Sequence, residues 1–361
     1  MQPNSKIYIA GHKGLVGSAL LKTLQGKGYT NFVLRSFEEL DLTNQAAVET
    51  FFSTEKPEYI FLAAAKVGGI IANNTYRGQF IIENLQIQNN IIHNAWVHGA
   101  KKLLFLGSSC IYPKNAPQPM IEEHLLTGEL EYTNEPYAIA KIAGIKVCES
   151  YNLQYGTNFV SVMPTNLYGP NDNFHLKNSH VLPGIMRKMH LAHSLEQNNM
   201  NAIRNDFAKI PVEGINAESG SEDILQFLAG QGIEKNSNGQ VSLTLWGTGT
   251  PLREFLHVSD MADACVYVME HIDFDDLRST TSNEIRNTHI NIGSGKEVTI
   301  GQLAEMIREV TGFEGEIHFD TSKPDGTMRK LMDGSKLEKL GWKSKIELQQ
   351  GIAGVYKGYL Q

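Results

Sequence analysis

Between the apolar run Lys6-Ile7-Tyr8-Ile9-Ala10 and an amphipathic stretch over 14–27 stands Gly11-His12-Lys13-Gly14-Leu15-Val16-Gly17. A glycine triplet in a strand–loop–helix setting constrains a fold tightly. One glycine permits the sharp turn off a buried strand, another lets backbone approach a pyrophosphate, and the third lets helix pack closely on strand. The helix start then offers unpaired N–H groups and the positive end of a dipole. The setting points to dinucleotide binding; a glycine turn required only by packing is the plainer alternative.

The alternation continues. Apolar runs at 31–35, 59–64, 102–106 and 159–163 read as strands, and the spacing of apolar residues predicts helices over 44–54, 79–98 and 137–155. Strands separated by helices pair in parallel through right-handed crossovers, which gives an α/β chain with a Rossmann-type doubly wound parallel sheet. At 361 residues the chain exceeds one compact core, so a smaller α/β substrate-binding domain is expected beside it. The expected division is 1–168 with a return segment 254–286 for the dinucleotide domain, and 169–253 with 287–361 for the other. Residues 191–240 are polar and without strand period, apart from a short helix near 223–229. That stretch reads equally as a lid, an interface element or a solvated insertion.

Thirty-two basic against 39 acidic side chains leave a net charge of −7, which disfavours a general nucleic-acid partner. No window approaches the ~18 apolar residues of a membrane span, so no membrane partner is expected. The first residues lack the order of a secretory signal, and three cysteines without a CxxC argue for a reducing compartment. A cytoplasmic protein is expected. Cys148 and Cys265 fall in apolar surroundings and read as packing residues. His175 and the pair His190/His193 lack a second ligand cluster, so no metal is expected.

The GxxGxxG spacing resembles that of the short-chain dehydrogenase/reductase superfamily. Where an acidic residue would take the ribose hydroxyls, this chain reads Leu34-Arg35-Ser36-Phe37. Lys13 and Arg35 are cations suited to a ribose 2′-phosphate, which favours NADP(H) over NAD(H) by charge. A merely solvated Arg35 is the alternative. Asp41 reads either as an acceptor for an adenine amino group or as a cap on the 44–54 helix. Tyr137 and Lys141 stand four apart on one face of a helix that follows Pro136. A phenol with pKa near ~10 needs a cation to serve as an acid–base group, and Lys141 can supply one. Gly107-Ser108-Ser109-Cys110-Ile111-Tyr112-Pro113 ends the fourth strand, where ligands bind in open α/β sheets. A Ser108 hydroxyl there can bond a substrate oxygen. Pro164-Thr165-Asn166-Leu167-Tyr168-Gly169-Pro170 closes the next strand in the same way.

Together with Ala63-Ala64-Ala65-Lys66-Val67-Gly68-Gly69-Ile70, Asn134-Glu135-Pro136-Tyr137, Asn178-Ser179-His180-Val181 and Ser322-Lys323-Pro324-Asp325-Gly326, these motifs resemble the GDP-L-fucose synthases. These are extended short-chain enzymes that epimerise and reduce a 4-keto GDP-sugar. The likeness runs from about residue 6 to 358, interrupted near 191–240. It implies Cys110 as the base and His180 as the acid of a 3,5-epimerisation, and Tyr137 as the proton donor of the reduction, with Lys141 and Ser108 in support. It implies an NADP(H) site of Gly11, His12, Lys13, Gly14, Leu15, Val16, Gly17, Arg35, Phe37, Asp41 and Leu42. Ala63, Ala64, Leu106, Gly107, Ser108, Ser109, Lys141, Pro164, Thr165, Asn166, Leu167 and His180 complete that site. For the GDP-sugar it implies Asn166, Val181, Lys188, Trp246, Arg253 and Asp325, with a structural ion pair the alternative for Arg253. It also implies a homodimer through a four-helix bundle of 79–98 and 137–155. A thiol starts near pKa ~8.5 and a nearby cation lowers it, which would suit Cys110 as a base. Outside this setting a cysteine after a strand reads as core, so these roles rest on likeness. Two positions depart from the family: Lys13 where arginine is frequent, and Phe37 where a second basic residue is. The rivals are a sugar-nucleotide epimerase or dehydratase with tightly held NAD, and a nucleotide-sensing regulator on the same fold.

Overall fold

The apolar runs become strands because their aromatic and branched side chains are buried on both faces of one sheet, as crossover helices require. In the computed structural model, which describes residues 1–278 and 284–361 without the side chains of Ile70 and Ile71, two units form. The first is Met1–Asn171, Glu254–Lys296 and Lys330–Ile346; the second is Asp172–Arg253, Glu297–Arg329 and Glu347–Gln361. Of the expected return segment 254–286, residues 279–283 lie outside the described residues.

The chain begins β1 (Ile7–Ala10), α1 (Leu15–Gly26), β2 (Phe32–Val33), α2 (Gln45–Glu55), β3 (Tyr59–Leu62), α3 (Ile70–Thr75) and α4 (Arg77–Val97). It continues through β4 (Lys102–Leu106), α5 (Glu135–Tyr155), β5 (Phe159–Pro164) and β6 (Asn166–Tyr168). Next come α6 (Val181–Glu196), α7 (Met200–Lys209), α8 (Ser221–Gly230), β7 (Ile233–Lys235), β8 (Val241–Trp246) and β9 (Leu252–His257). Then follow α9 (Val258–His271), α10 (Phe274–Leu277), β10 (Ile290–Ile292), β11 (Glu297–Thr299), α11 (Ile300–Thr311) and β12 (Glu316–Asp320). β13 (Arg329–Lys330), α12 (Ser335–Lys339) and α13 (Leu348–Tyr359) end the chain.

In the first unit six strands run in the order β10-β5-β4-β3-β1-β2, all parallel, with Tyr8 opposite Ile60 and Leu104 opposite Val160. Alternate strand residues face opposite layers. Tyr8, Ile60 and Phe105 pack with Phe52, Ile92 and Ile145 on one side; Ile9, Phe61 and Leu104 pack with Leu24, Met261 and Val268 on the other. From β1 the chain steps outward to β2 and then back past β1 to β3. This reversal opens a crevice beyond the carboxyl ends of β1 and β3, where α/β sheets bind ligands.

From sequence, 287–361 falls wholly in the second domain; in the structure 287–296 and 330–346 pack in the first unit. The reason is burial and pairing. β10 is a strand of the main sheet, Met120 N–H donates to Leu331 O (2.8 Å), and Leu337 and Trp342 are core residues.

In the second unit β8 pairs antiparallel with β7 and parallel with β12. The 191–240 stretch holds more order than its polar composition suggests. α6 runs on to Glu196, and α7 and α8 each bury two apolar residues four apart, Ile203/Phe207 and Ile224/Leu228. Two residues per helix suffice to seat a short helix and leave almost no signal in composition.

Candidate active site

β1 ends at Gly11, whose φ of +84° glycine adopts without strain. A Cβ on Gly11 would lie 2.9 Å from the Ala64 backbone, and one on Gly17 would lie 2.0 Å from Gly11 O. The loop therefore closes on the end of β3 only because it carries no side chains at these points. α1 starts from Gly14 with no side-chain cap and no acid in its first turn. Its first N–H groups have no acidic competitor. His12 Nδ1 is buried with no hydrogen-bond partner among the described residues. Free donors, an absent cap and a cradle that a Cβ would fill all fit the pyrophosphate of a dinucleotide. Leu15 and Val16 open α1 behind it.

Around this cradle stand the other expected cofactor residues of the sheet's carboxyl edge. Ala63 N–H donates to Ala10 O (3.1 Å) and Gly107 N–H to Val162 O (2.8 Å). Pro164 ends β5, Thr165 N–H donates to Ile292 O (3.0 Å), and Asn166 Nδ2 donates to Glu254 O (2.8 Å) beside Leu167 in β6. Leu42 O accepts from Asn90 Nδ2 (2.9 Å).

Arg35 is not the solvated cation of the alternative reading. Its Nη2 lies 2.5 Å from Glu55 Oε1, Nη1 donates to Leu34 O (2.8 Å), and Glu55 also pairs with Lys6. Lys13 and Phe37 are exposed. Asp41 does not cap the following helix. Its Oδ1 accepts from Thr43 N–H (2.9 Å) and Thr43 Oγ1 (2.8 Å), while Asn44 Oδ1 caps α2 through Ala47 N–H (3.1 Å).

α5 starts at Glu135 with Pro136 in its first turn, where a missing N–H costs nothing. One turn on from Tyr137, buried Lys141 donates its Nζ to Leu106 O (2.8 Å), with Nζ 5.7 Å from the centre of the Tyr137 ring. Burial draws the Lys141 ammonium down to about 8, against an opposing pull from Cys110. Burial also pushes the Tyr137 phenol up, so the phenol keeps its proton through the neutral range. Ser108 Oγ accepts from Cys110 N–H (3.4 Å) at the head of the 3-10 turn Ser109–Ile111. Cys110 corrects the sequence expectation. The Lys330 and Lys141 ammoniums and Ser108 do draw its thiol down, but burial outweighs them and the net shift is upward. Taking a thiolate out of water costs more than those neighbours return.

The second unit holds the remaining expected residues. His180 is the exposed residue before the first turn of α6, and Val181 opens the helix. Lys188 Nζ donates to Gln231 O (2.8 Å), and burial lowers its pKa. Burial likewise lowers Arg253, countered by Asp325, and Arg253 Nη1 donates to Leu252 O (2.8 Å). Trp246 exposes its indole beneath the Lys323 ammonium, 5.8 Å from the ring centre. Asp325 is engaged as a loop brace, its two oxygens accepting from Thr248 N–H (2.9 Å) and Thr248 Oγ1 (2.8 Å).

With this geometry in place, comparison with known proteins is decisive. The model of the NAD dependent epimerase/dehydratase family matches residues 7–207 and 219–293. GDP-L-fucose synthase 1 of Arabidopsis thaliana is 53% identical over 358 residues, covering 99% of this chain and 94% of the relative. GDP-L-fucose synthase of Escherichia coli K12 is 47% identical, covering 99% and 97%. The chain belongs to this family, in its GDP-L-fucose synthase branch. Among solved structures, the GDP-mannoheptose C4 reductase MlghC of Campylobacter jejuni, with NADP bound, is 46% identical at a TM-score of 0.86, with each chain fully covered.

Two buried groups that brace the candidate residues lie outside the motifs quoted above. Glu254, fully buried, accepts from Gly295 N–H (2.7 Å) and Met332 N–H (3.0 Å), while its carbonyl holds Asn166. Two residues beyond Cys110, Tyr112 OH bonds His289 Nε2 (3.0 Å) and donates to Asn291 Oδ1 (2.5 Å), and Asn291 N–H donates to Glu122 Oε1 (2.9 Å). Burial holds His289 neutral, its pKa at about 3. A buried carboxylate on β9 and a His-Ile-Asn strand have no spacing signature. Their significance lies in partners far along the chain.

Proposed function

We propose that this enzyme converts GDP-4-keto-6-deoxy-D-mannose to GDP-L-fucose by 3,5-epimerisation followed by NADPH-dependent reduction at C4. The observation that carries the reading is the set Tyr137, Lys141, Ser108 and Cys110 at the carboxyl edge of the sheet that also ends in the uncapped start of α1. The names of the GDP-L-fucose synthases supply the substrate class.

In epimerisation the C4 ketone acidifies the protons at C3 and C5. Cys110 removes each as its base, and His180 returns a proton as imidazolium. In reduction Tyr137 gives its proton to the developing C4 alkoxide, Ser108 donates to the same oxygen, and Lys141 supplies the positive charge that steadies the phenolate left behind. NADPH, when bound, supplies the hydride to C4. Gly11 to Gly17 hold its pyrophosphate, Lys13 and Arg35 its 2′-phosphate, and Asp41 its adenine. Phe37, Leu42, Ala63, Ala64 and the 106–109 and 164–167 segments line it. The first unit is then the cofactor half and the second the sugar-nucleotide half, with Lys188 and Arg253 for the diphosphate, Trp246 for a ring face, and Val181 and Asp325 for sugar or ribose groups, to which Asn166 of the first unit adds a contact. The three unpaired cysteines support a cytoplasmic enzyme, and no helix among the described residues is long and apolar enough to cross a membrane.

The test follows NADPH absorbance with GDP-4-keto-6-deoxy-D-mannose and deuterium entry at C3 and C5 from D2O. Tyr137→Phe is expected to slow reduction about 10²–10⁴-fold while deuterium still enters. Cys110→Ser is expected to suppress that entry. Absence of NADPH oxidation by the wild type would overturn the assignment. The similarity to a C4 reductase acting on a GDP-heptose supports a second reading, reduction alone; NADPH oxidation with no deuterium in the product would establish it.

A further inference from the structure

Arg187, in α6, is fully buried, and its guanidinium is spent on four oxygens of three residues. Nε donates to Asp206 Oδ1 and Oδ2 (2.9 and 3.2 Å), Nη1 to Phe174 O (3.2 Å) and Nη2 to Ile210 O (2.6 Å). Tyr359 OH of α13 donates to Asp206 Oδ2, and its ring lies 4.8 Å from that of Phe174. One buried charge pair thus joins α6, the inserted helix α7, the terminal helix α13 and the loop 172–180. Losing one partner of such a pair leaves an uncompensated buried charge, so the joint is held or lost as a whole.

The loop is the notable member. Phe174 is gripped by its carbonyl from Arg187 and by its ring from Tyr359. Ser179 N–H donates to His175 O (3.0 Å), which hands that grip on to the residue before His180. A cavity of about 130 Å³ separates His175, Lys177 and Asn178 from Val212 and Phe227 of the inserted stretch, so loop and insertion face each other across it. A lid would hang by few contacts and leave on opening; this insertion is anchored by a buried ion pair.

We infer that Arg187, Asp206 and Tyr359 are positioning residues for the loop that carries His180, so that the inserted helix α7 serves the epimerisation half of the reaction. The inference rests on the reading of His180 as the proton donor. Proton return to carbon demands a donor held close to one place, whereas the reduction draws its proton from Tyr137 in the other unit and calls on α6 only for substrate binding through Val181 and Lys188.

The experiment compares the two half-reactions in full-length enzyme. Tyr359→Phe removes one hydroxyl and keeps the ring on Phe174; Asp206→Asn keeps the shape and removes the charge. Deuterium entry at C3 and C5 reads the first half, and NADPH oxidation with the already epimerised 4-keto sugar nucleotide reads the second. Tyr359→Phe is expected to slow deuterium entry about tenfold, and Asp206→Asn more, with the kcat of reduction within about twofold of wild type and any loss shared by both half-reactions confined to KM. Equal losses of kcat in both half-reactions, or wild-type deuterium entry in Tyr359→Phe, would overturn the inference. His180→Asn separates it from the reading beneath. If that variant loses deuterium entry while Tyr359→Phe does not, only the positioning role fails. If His180→Asn exchanges at the wild-type rate, the donor assignment itself fails and the inference with it.

Discussion

Lys141 and Cys110 sit in one buried neighbourhood, and burial moves their proton affinities in opposite directions. It lowers the lysine from 10.5 to about 8 and raises the thiol. The sign for Lys141 sets the alkaline limb of the reduction. Below about 8 Lys141 is an ammonium; above it the charge is lost, and the phenolate of Tyr137 and the C4 alkoxide lose their support. kcat/KM for NADPH, which reports free enzyme, is therefore expected to fall about tenfold per pH unit above a midpoint near 8. Lys141→Arg, with a guanidinium that stays charged, should remove that alkaline limb. Cys110 acts as thiolate and His180 as imidazolium, so deuterium entry is not expected to follow that alkaline limb. A limb unmoved in Lys141→Arg would refute the assignment of that titration to Lys141. A four-residue spacing made the Tyr137/Lys141 pair legible in the sequence and a strand end made Ser108 so, whereas Cys110 entered through likeness alone. Spacing carries no information on burial, and so the direction of the Cys110 shift, the Arg35–Glu55 pair and the cap at Asn44 were not visible.

Among the elements, α1 bears most directly on cofactor binding. It reaches the end of β1 through Gly17, where a methyl group would stand 2.0 Å from Gly11 O, a backbone atom that can move only by shifting the whole loop. Gly17→Ala is expected to weaken NADPH binding by about 100-fold or more in a fluorescence titration, since the donors of the loop would no longer converge on one pyrophosphate. Gly26, at the end of the same helix, has nothing within 4 Å of a built Cβ. Gly26→Ala should bind NADPH as wild type does and gain about 0.5–1 kcal/mol from helix propensity. Equal affinity in Gly17→Ala and Gly26→Ala would show that the loop does not cradle the cofactor. The long elements were legible because a fully buried strand or a five-turn helix repeats its pattern: α5 ends at Tyr155, as its spacing requires, and β4 spans Lys102–Leu106 as read. α7 was not legible. Ten residues with two buried apolar side chains and a buried Asp206 present a polar face to any periodicity argument, and the partner that makes Asp206 tolerable is nineteen residues away.

At the scale of the whole molecule, the net charge of −7 says little about what the chain holds, because its expected anion contacts are local: the start of α1, Lys188 and Arg253. The apolar surface says more. Trp96 of α4 stacks on Tyr155 of α5 at 4.1 Å between ring centres, which makes the two helices one platform. Their outer positions leave Ile82 and Val97 of α4, and Ile139 and Leu153 of α5, between 43% and 51% exposed. A second copy of the same helix pair, related by a two-fold axis, would cover these side chains. The chain is therefore expected to sediment at twice its mass of 40.1 kDa. A charge at either position would be taken out of water by such an interface, so Ile82→Glu combined with Leu153→Glu should shift the enzyme to the monomer in analytical ultracentrifugation. The Gly11–Gly17 loop belongs to other elements, so NADPH affinity should stay within about twofold of wild type in that monomer. A wild-type enzyme that sediments at the mass of one chain would remove the homodimer, and a dimer that survives both substitutions would move its interface off α4 and α5.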